Sequence, residues 1–210
     1  VVGTTFIDDC QWDRSAEYPI HTLTFDTVNG CWKPTGHNQE NVTAHKYGIG
    51  IYEVEFDFGG SNGQIYMMLG FSNPGGMSGA GTGYTVMASS VNSGMWIYTK
   101  PNNFLTNSSY TFSNTTRYIL RCEVTSTNIR VNILDANTRT ILLTLSRAVV
   151  VSPGYSGVNI GYTTTSLTTK VYDFRIIAAS PDATNGIAAC IPPIGGGARY
   201  GVEESVYNTF

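Results

Sequence analysis

Apolar and polar positions alternate with a period of two along most of the chain, and the i, i+3, i+4 spacing of an amphipathic helix is nearly absent. The alternating stretches are short, rich in β-branched and aromatic residues, and bounded by Gly, Asn, Ser or Pro. They predict strands over Ile20–Thr27, Gly48–Phe58, Gln64–Phe71, Gly83–Ser89, Met95–Thr99, Tyr118–Val124, Asn128–Leu134, Arg139–Leu145, Gly157–Thr163 and Thr169–Ala178. Closely spaced turns between strands imply an all-β, antiparallel two-sheet sandwich of jelly-roll type over residues 1–180, not a parallel α/β sheet. Gly59–Gly63, Asn73–Gly83 and Lys100–Thr116 read as loops, and long loops on a rigid sandwich commonly carry binding residues.

The pattern stops after Ser180-Pro181. Residues 181–210 pass through Pro192-Pro193 and Gly195-Gly196-Gly197 and are expected to form an irregular C-terminal extension. Within it Tyr200, Val202, Val206 and Phe210 share one strand face and Tyr207 falls on the other, the spacing of an arm that adds to a neighbouring subunit's sheet edge. A tail draped over its own surface is the alternative.

Composition narrows the classes. The 210 residues carry 12 basic and 15 acidic side chains, a net charge of −3, and only 13% of positions are charged. No cationic surplus exists to neutralise phosphates, which argues against a nucleic-acid partner. No apolar run approaches the ~20 residues of a membrane-spanning helix. Thr, Ser, Asn and Gly take the place of the missing charges, a composition expected of an extracellular or virion-surface protein. The triplets at Asn41, Asn107 and Asn114 have the form of glycosylation acceptors. The four cysteines, Cys10, Cys31, Cys122 and Cys190, form no zinc-ligand spacing. Spacing leaves open one Cys10–Cys31 disulfide or none, and places Cys122 mid-strand as a buried thiol.

Several segments resemble the concanavalin-A-like lectin and glucanase sandwich, with SPRY and laminin-G-like modules matching about as well. They are Thr5–Cys10 with Trp12, Tyr47–Phe56, Arg117–Asp135 and Val171–Ile176, in the order that sandwich uses. The resemblance implies acids for glycan hydrolysis on one central strand. Glu53, Glu55 and Asp57 alternate onto one strand face, but they match the strand preceding the catalytic one, and the strand matching the catalytic one, Gly83–Ser89, has no acid. Glu53, Glu55 and Asp57 are therefore expected to form a solvated outer face with Val54, Phe56 and Phe58 in the core, and no catalytic residue is assigned. The resemblance also implies a structural Ca²⁺ held by Asp8, Asp9 and Asp173. The alternative is that Asp9 accepts backbone hydrogen bonds at a turn and Asp173 pairs with Arg175.

The expected function is non-catalytic binding of a glycan or host-surface receptor. The candidate residues are Tyr84, Trp96, Tyr98, Phe104 and Tyr110 for stacking, with Asn102, Asn103 and Asn107 to bond hydroxyls. Core or interface packing is the alternative for Trp96 and Tyr98. Two further readings stay open: a structural subunit of a capsid decoration, tail fibre or extracellular filament, self-associating or joined to a virion partner, and a glycan hydrolase or lyase.

Overall fold

A computed structural model describes residues 5–60, 62–77, 79–100, 103–161 and 168–178. Its strands are β1 (Thr5–Asp8), β2 (Ile20–His21), β3 (Thr24–Asp26), β4 (Cys31–Lys33), β5 (Gln39–Tyr47), β6 (Gly50–Asp57), β7 (Gln64–Phe71) and β8 (Gly83–Ser89). They continue with β9 (Gly94–Lys100), β10 (Asn103–Ser109), β11 (Tyr118–Val124), β12 (Asn128–Asp135), β13 (Ile141–Ala148), β14 (Gly154–Ile160) and β15 (Lys170–Ala178). One sheet runs β13-β12-β11-β6-β15-β4-β3, with β1 also on β15; the other runs β10-β9-β8-β7-β14-β5-β2. Every described strand pair is antiparallel.

The core is the seam between the two inner faces. Tyr52, Val54 and Phe56 of β6, Leu120, Cys122 and Val124 of β11, and Phe174 and Ile176 of β15 meet Ile65, Met67 and Leu69 of β7, Val86 and Ala88 of β8, and Met95 and Ile97 of β9. Each such aliphatic or aromatic side chain contributes about 1.5–3 kcal/mol by leaving water. Cys10, Cys31 and Cys122 are buried free thiols, and burial pushes all three thiols upward from their ordinary range. Iodoacetamide is accordingly expected to leave these cysteines unmodified in the native protein and to label them in denaturant, read by mass spectrometry. Cys190 and the arm residues Tyr200, Val202, Val206, Tyr207 and Phe210 lie outside the described residues.

Four strands, β1, β4, β5 and β10, are missing from the expected set, and one expected strand is divided. The segment Ile20–Thr27 divides into β2 and β3, which join different sheets. β1 and β4 are too short to show a period. β5 is polar, yet Glu40, Asn41 and Thr43 are all buried there. Thr43 Oγ1 donates to the Ser156 carbonyl at 3.0 Å, so a partner across the sheet satisfies its burial. Asn41 is 0% exposed, which leaves no room for a glycan on that acceptor in the folded chain. β10 occupies the middle of the segment read as the Lys100–Thr116 loop; it is an edge strand, with a register shift between Phe104 and Thr106.

The outer face of the β6 sheet also differs from expectation. Glu53, Glu55 and Asp57 do point away from the core; Glu55 and Asp57 keep part of their side chains in solvent, and Glu53 is buried. Glu53 is 8% exposed and accepts from Arg121 Nη1 at 2.8 Å and Arg139 Nη2 at 3.1 Å. Glu55 pairs with Arg117 at 3.0 Å, and Asp57 accepts from the Tyr172 hydroxyl at 2.7 Å. The gap bounded by Glu53, Glu55, Arg139, Asp173 and Arg175 measures about 20 Å³, the room of one water and not of a sugar.

Candidate functional site

The outer face of the other sheet is built differently. Because paired residues on adjacent antiparallel strands face the same way, the register writes one row across it: Asn107 of β10, Trp96 of β9, Met87 of β8, Tyr66 of β7, Asn159 of β14 and Glu40 of β5. The next row carries Phe104, Tyr98, Thr85, Met68, Gly157 and Val42. The flanking residues Met95, Ile97, Val86, Ala88, Ile65 and Met67 belong to the core, so the two rows must face outward.

This face has a roofed half and an open half. Gly70 adopts φ +64°, a left-handed conformation that suits glycine, and the strand turns there so that Phe71 joins Met68 and Val42 in a second apolar cluster on the outer side. Ile20, Met77 and Tyr155 pack on that cluster. Met77 comes from the chain between β7 and β8, which is pinned down twice. Glu40 Oε2 accepts from the Met77 backbone N–H at 2.8 Å, and Lys100 Nζ donates to the carbonyls of Gly76, Met77 and Gly79.

The open half holds the aromatic side chains. Phe104 is 58% exposed, and its ring meets Tyr98 edge-on at 6.1 Å between centroids. Trp96, Tyr98 and Tyr66 are each half-buried, with part of their side chains left to solvent. The Tyr66 hydroxyl donates to Gln64 Oε1 at 3.2 Å, and burial pushes its phenol up to about 12. Gly161 backs this ring so closely that a Cβ there would stand 2.3 Å from Tyr66 Cε2. The result is a set of fixed rings, flanked by the Asn107 and Gln64 amides, on rigid strands.

Of the residues singled out from sequence, Trp96, Tyr98, Phe104 and Asn107 come together here. Asn103 is exposed at the start of β10, opposite Thr99, and Asn102 lies outside the described residues. Tyr84 and Tyr110 are placed elsewhere. Tyr84 pairs with Leu69 and leans on the core at the sheet's end, and Tyr110 packs on Phe112 with centroids 4.8 Å apart. Tyr66 is an addition to that set: its alternation with Ile65 and Met67 sets it outward, and the strand register brings it to Trp96.

The three aspartates considered for Ca²⁺ do not converge. Asp8 is 0% exposed and pairs with Phe174 on the core side, where its Oδ2 accepts from Tyr18 Oη and Trp32 Nε1, each at 2.7 Å. Its Oδ1 accepts from the Cys10 backbone N–H at 3.1 Å. Asp173, next to Phe174 along β15, faces the opposite side and pairs with Arg175. Asp9 Oδ1 takes the Gln11 backbone N–H at 3.4 Å. A carboxylate saturated by buried donors and another on the far side of the sheet do not fit a shared ion, which needs six to eight oxygens around one point. Among the described residues no group of three metal-ligating side chains is present.

No protein-family model matches the sequence, and no curated protein matches it. Solved structures do match in shape. The basic winged bean lectin, determined with Tn-antigen, superposes with a TM-score of 0.62 at 11% identity over 84% of this chain and 98% of the lectin. The β-glucanase of Bacillus licheniformis gives 0.58 at 12% identity over 84% of this chain and 99% of the enzyme. The exoplasmic/lumenal domain of VIP36 in its Ca²⁺-bound form gives 0.59 at 12% identity over 87% of this chain and 94% of that domain. The chain has the concanavalin-A-like fold. Lectins and a glucanase share this fold, and the fold by itself fixes no activity.

Proposed function

We propose that the chain is a non-catalytic glycan-binding sandwich, acting outside the cell or on a virion surface, and that Tyr66, Trp96, Tyr98 and Phe104 form its stacking platform. One observation carries the reading: four aromatic side chains from β7, β9 and β10 face outward together on one rigid sheet, beside amides able to bond hydroxyls. Rings fixed by packing offer apolar area to a sugar at little entropic cost.

The same face supports binding over hydrolysis. Glycoside hydrolysis uses two carboxyl groups about 5–9.5 Å apart across the scissile bond. Among the described strand residues facing outward here, Glu40 is the one carboxylate, and it is 2% exposed and held by the Met77 amide. The acids on the opposite sheet are engaged by Arg117, Arg121, Arg139 and Tyr172.

The test is a glycan array followed by calorimetry on the best ligand, with reducing-sugar release assayed in parallel on the same polysaccharides. Saturable binding without release is the expected result. Turnover of any bound glycan overturns the non-catalytic assignment, and a blank array together with no binding to intact cells overturns the glycan assignment.

A further inference from the structure

At the Lys100 end of β9, just beyond Tyr98 of the platform, a cleft of about 330 Å³ opens between the ends of β7, β8 and β9 and the chain crossing from β13 to β14. Gly70 and Gly83 line it without side chains, and Tyr84, Thr99 and Ser152 bring hydroxyls to it. The volume lies at the small end of the ~300–1,000 Å³ of ordinary ligand sites, room for one ring and not for a chain of them.

The hydrogen-bond inventory of the lining is uneven. Tyr84, Thr99 and Ser152 make no side-chain hydrogen bond among the described residues, although Tyr84 and Thr99 sit directly opposite each other in the β8–β9 pair. Lys100, the cation in the lining, is in the reverse condition. Its ammonium already donates to three loop carbonyls, those of Gly76, Met77 and Gly79, so it offers no free N–H to a carboxylate. Three unengaged hydroxyls, each able to donate and to accept, suit a polyol. The Tyr84 ring, half-buried against the core, adds a fixed apolar surface.

We propose that this cleft is a second carbohydrate site, binding a single neutral sugar ring against Tyr84, Thr99 and Ser152. It takes its ligand class from the glycan-binding reading above but shares no residue with the stacking platform, so the two stand or fall separately.

The test uses the full chain, labelled with ¹⁵N, titrated with the methyl glycosides of glucose, galactose and mannose and, separately, with glucuronate. At least one neutral glycoside is expected to move the Gly70, Gly83, Tyr84 and Thr99 amide peaks saturably, while glucuronate leaves them in place. The Thr99→Val/Ser152→Ala pair is expected to weaken that binding about tenfold, which corresponds to about 1.4 kcal/mol. Trp96→Ala is expected to leave it unchanged. The proposal is overturned if no neutral glycoside moves these peaks, if glucuronate moves them equally, if the paired variant binds as the parent does, or if Trp96→Ala abolishes the shifts. A blank glycan array with the cleft shifts intact would remove the platform and keep this site.

Discussion

Trp96→Ala is expected to weaken glycan binding at least about 30-fold, a loss of about 2 kcal/mol, while changing the thermal midpoint little. Trp96 stands mid-row, with Asn107 on one side and Met87 and then Tyr66 on the other, so a sugar lying across the open half must cross it. Its ring is partly solvent-exposed in the free protein, and little core packing is lost with it. The control is Trp12→Ala. Trp12 is 57% exposed but packs beside Arg14, away from this face, and its removal is expected to leave affinity unaltered. Calorimetry with the strongest array ligand reads both variants. Equal affinities for the parent and Trp96→Ala would place the ligand somewhere other than the platform.

The largest stability effect is expected at Asp8. Its carboxylate is the shared acceptor for Tyr18 Oη, Trp32 Nε1 and the Cys10 backbone N–H, all buried. Asp8→Ala strands these donors, and leaving buried donors unsatisfied costs about 1–3 kcal/mol each before relaxation. A net loss of about 3–5 kcal/mol is expected, which moves the urea midpoint down by roughly 2 M at a slope of about 2 kcal/mol/M. An unchanged midpoint would show that the three donors do not depend on this carboxylate.

The same cluster sets an alkaline limit. Burial and the neighbouring Asp8 charge push the Tyr18 phenol well above its ordinary value of about 10. The folded state therefore holds this proton more tightly than the unfolded chain does. The associated stability is complete below pH ~10 and is lost as pH rises from there through the folded value. Tyr18→Phe is expected to make the alkaline slope shallower, measured as the urea midpoint against pH, with the buried thiols and other buried tyrosines carrying the remainder.

Much of the fold was legible because its central strands alternate cleanly. Gln64–Phe71, Gly83–Ser89 and Tyr118–Val124 were read at the bounds the structure gives them. β5 was not, because its buried Glu40, Asn41 and Thr43 carry the marks of a surface segment, and the hydrogen bonds that reconcile Thr43 and Glu40 with burial come from residues far along the chain. β10 was read as loop for a related reason: an edge strand pairs on one side only and has little need of apolar residues.

The candidate platform was half legible. Trp96 and Tyr98 alternate visibly within one strand, and Phe104 and Asn107 lie close by in sequence. Tyr66 joins them only through the β7–β8 and β8–β9 registers, which no local pattern reports. The expectation of solvated acids fails at Glu53 for the same reason, while Glu55 and Asp57 stay part-exposed. Glu53 is enclosed by Arg121 and Arg139, 68 and 86 residues further along, and nothing near it in sequence announces either partner.

The pinned segment between β7 and β8 limits what the open half can hold. It covers the face over β14, β5 and the Met68–Phe71 end of β7 and is tied to Lys100 at the end of β9, so the accessible part is the Tyr66–Trp96–Asn107 row from β7 to β10, a width of three strand spacings or about 14 Å. A short oligosaccharide fits across that span, whereas a longer polymer running the same way meets a wall at Met77. The footprint is therefore bounded on one side, and affinity is expected to plateau with increasing oligosaccharide length instead of rising with each added unit.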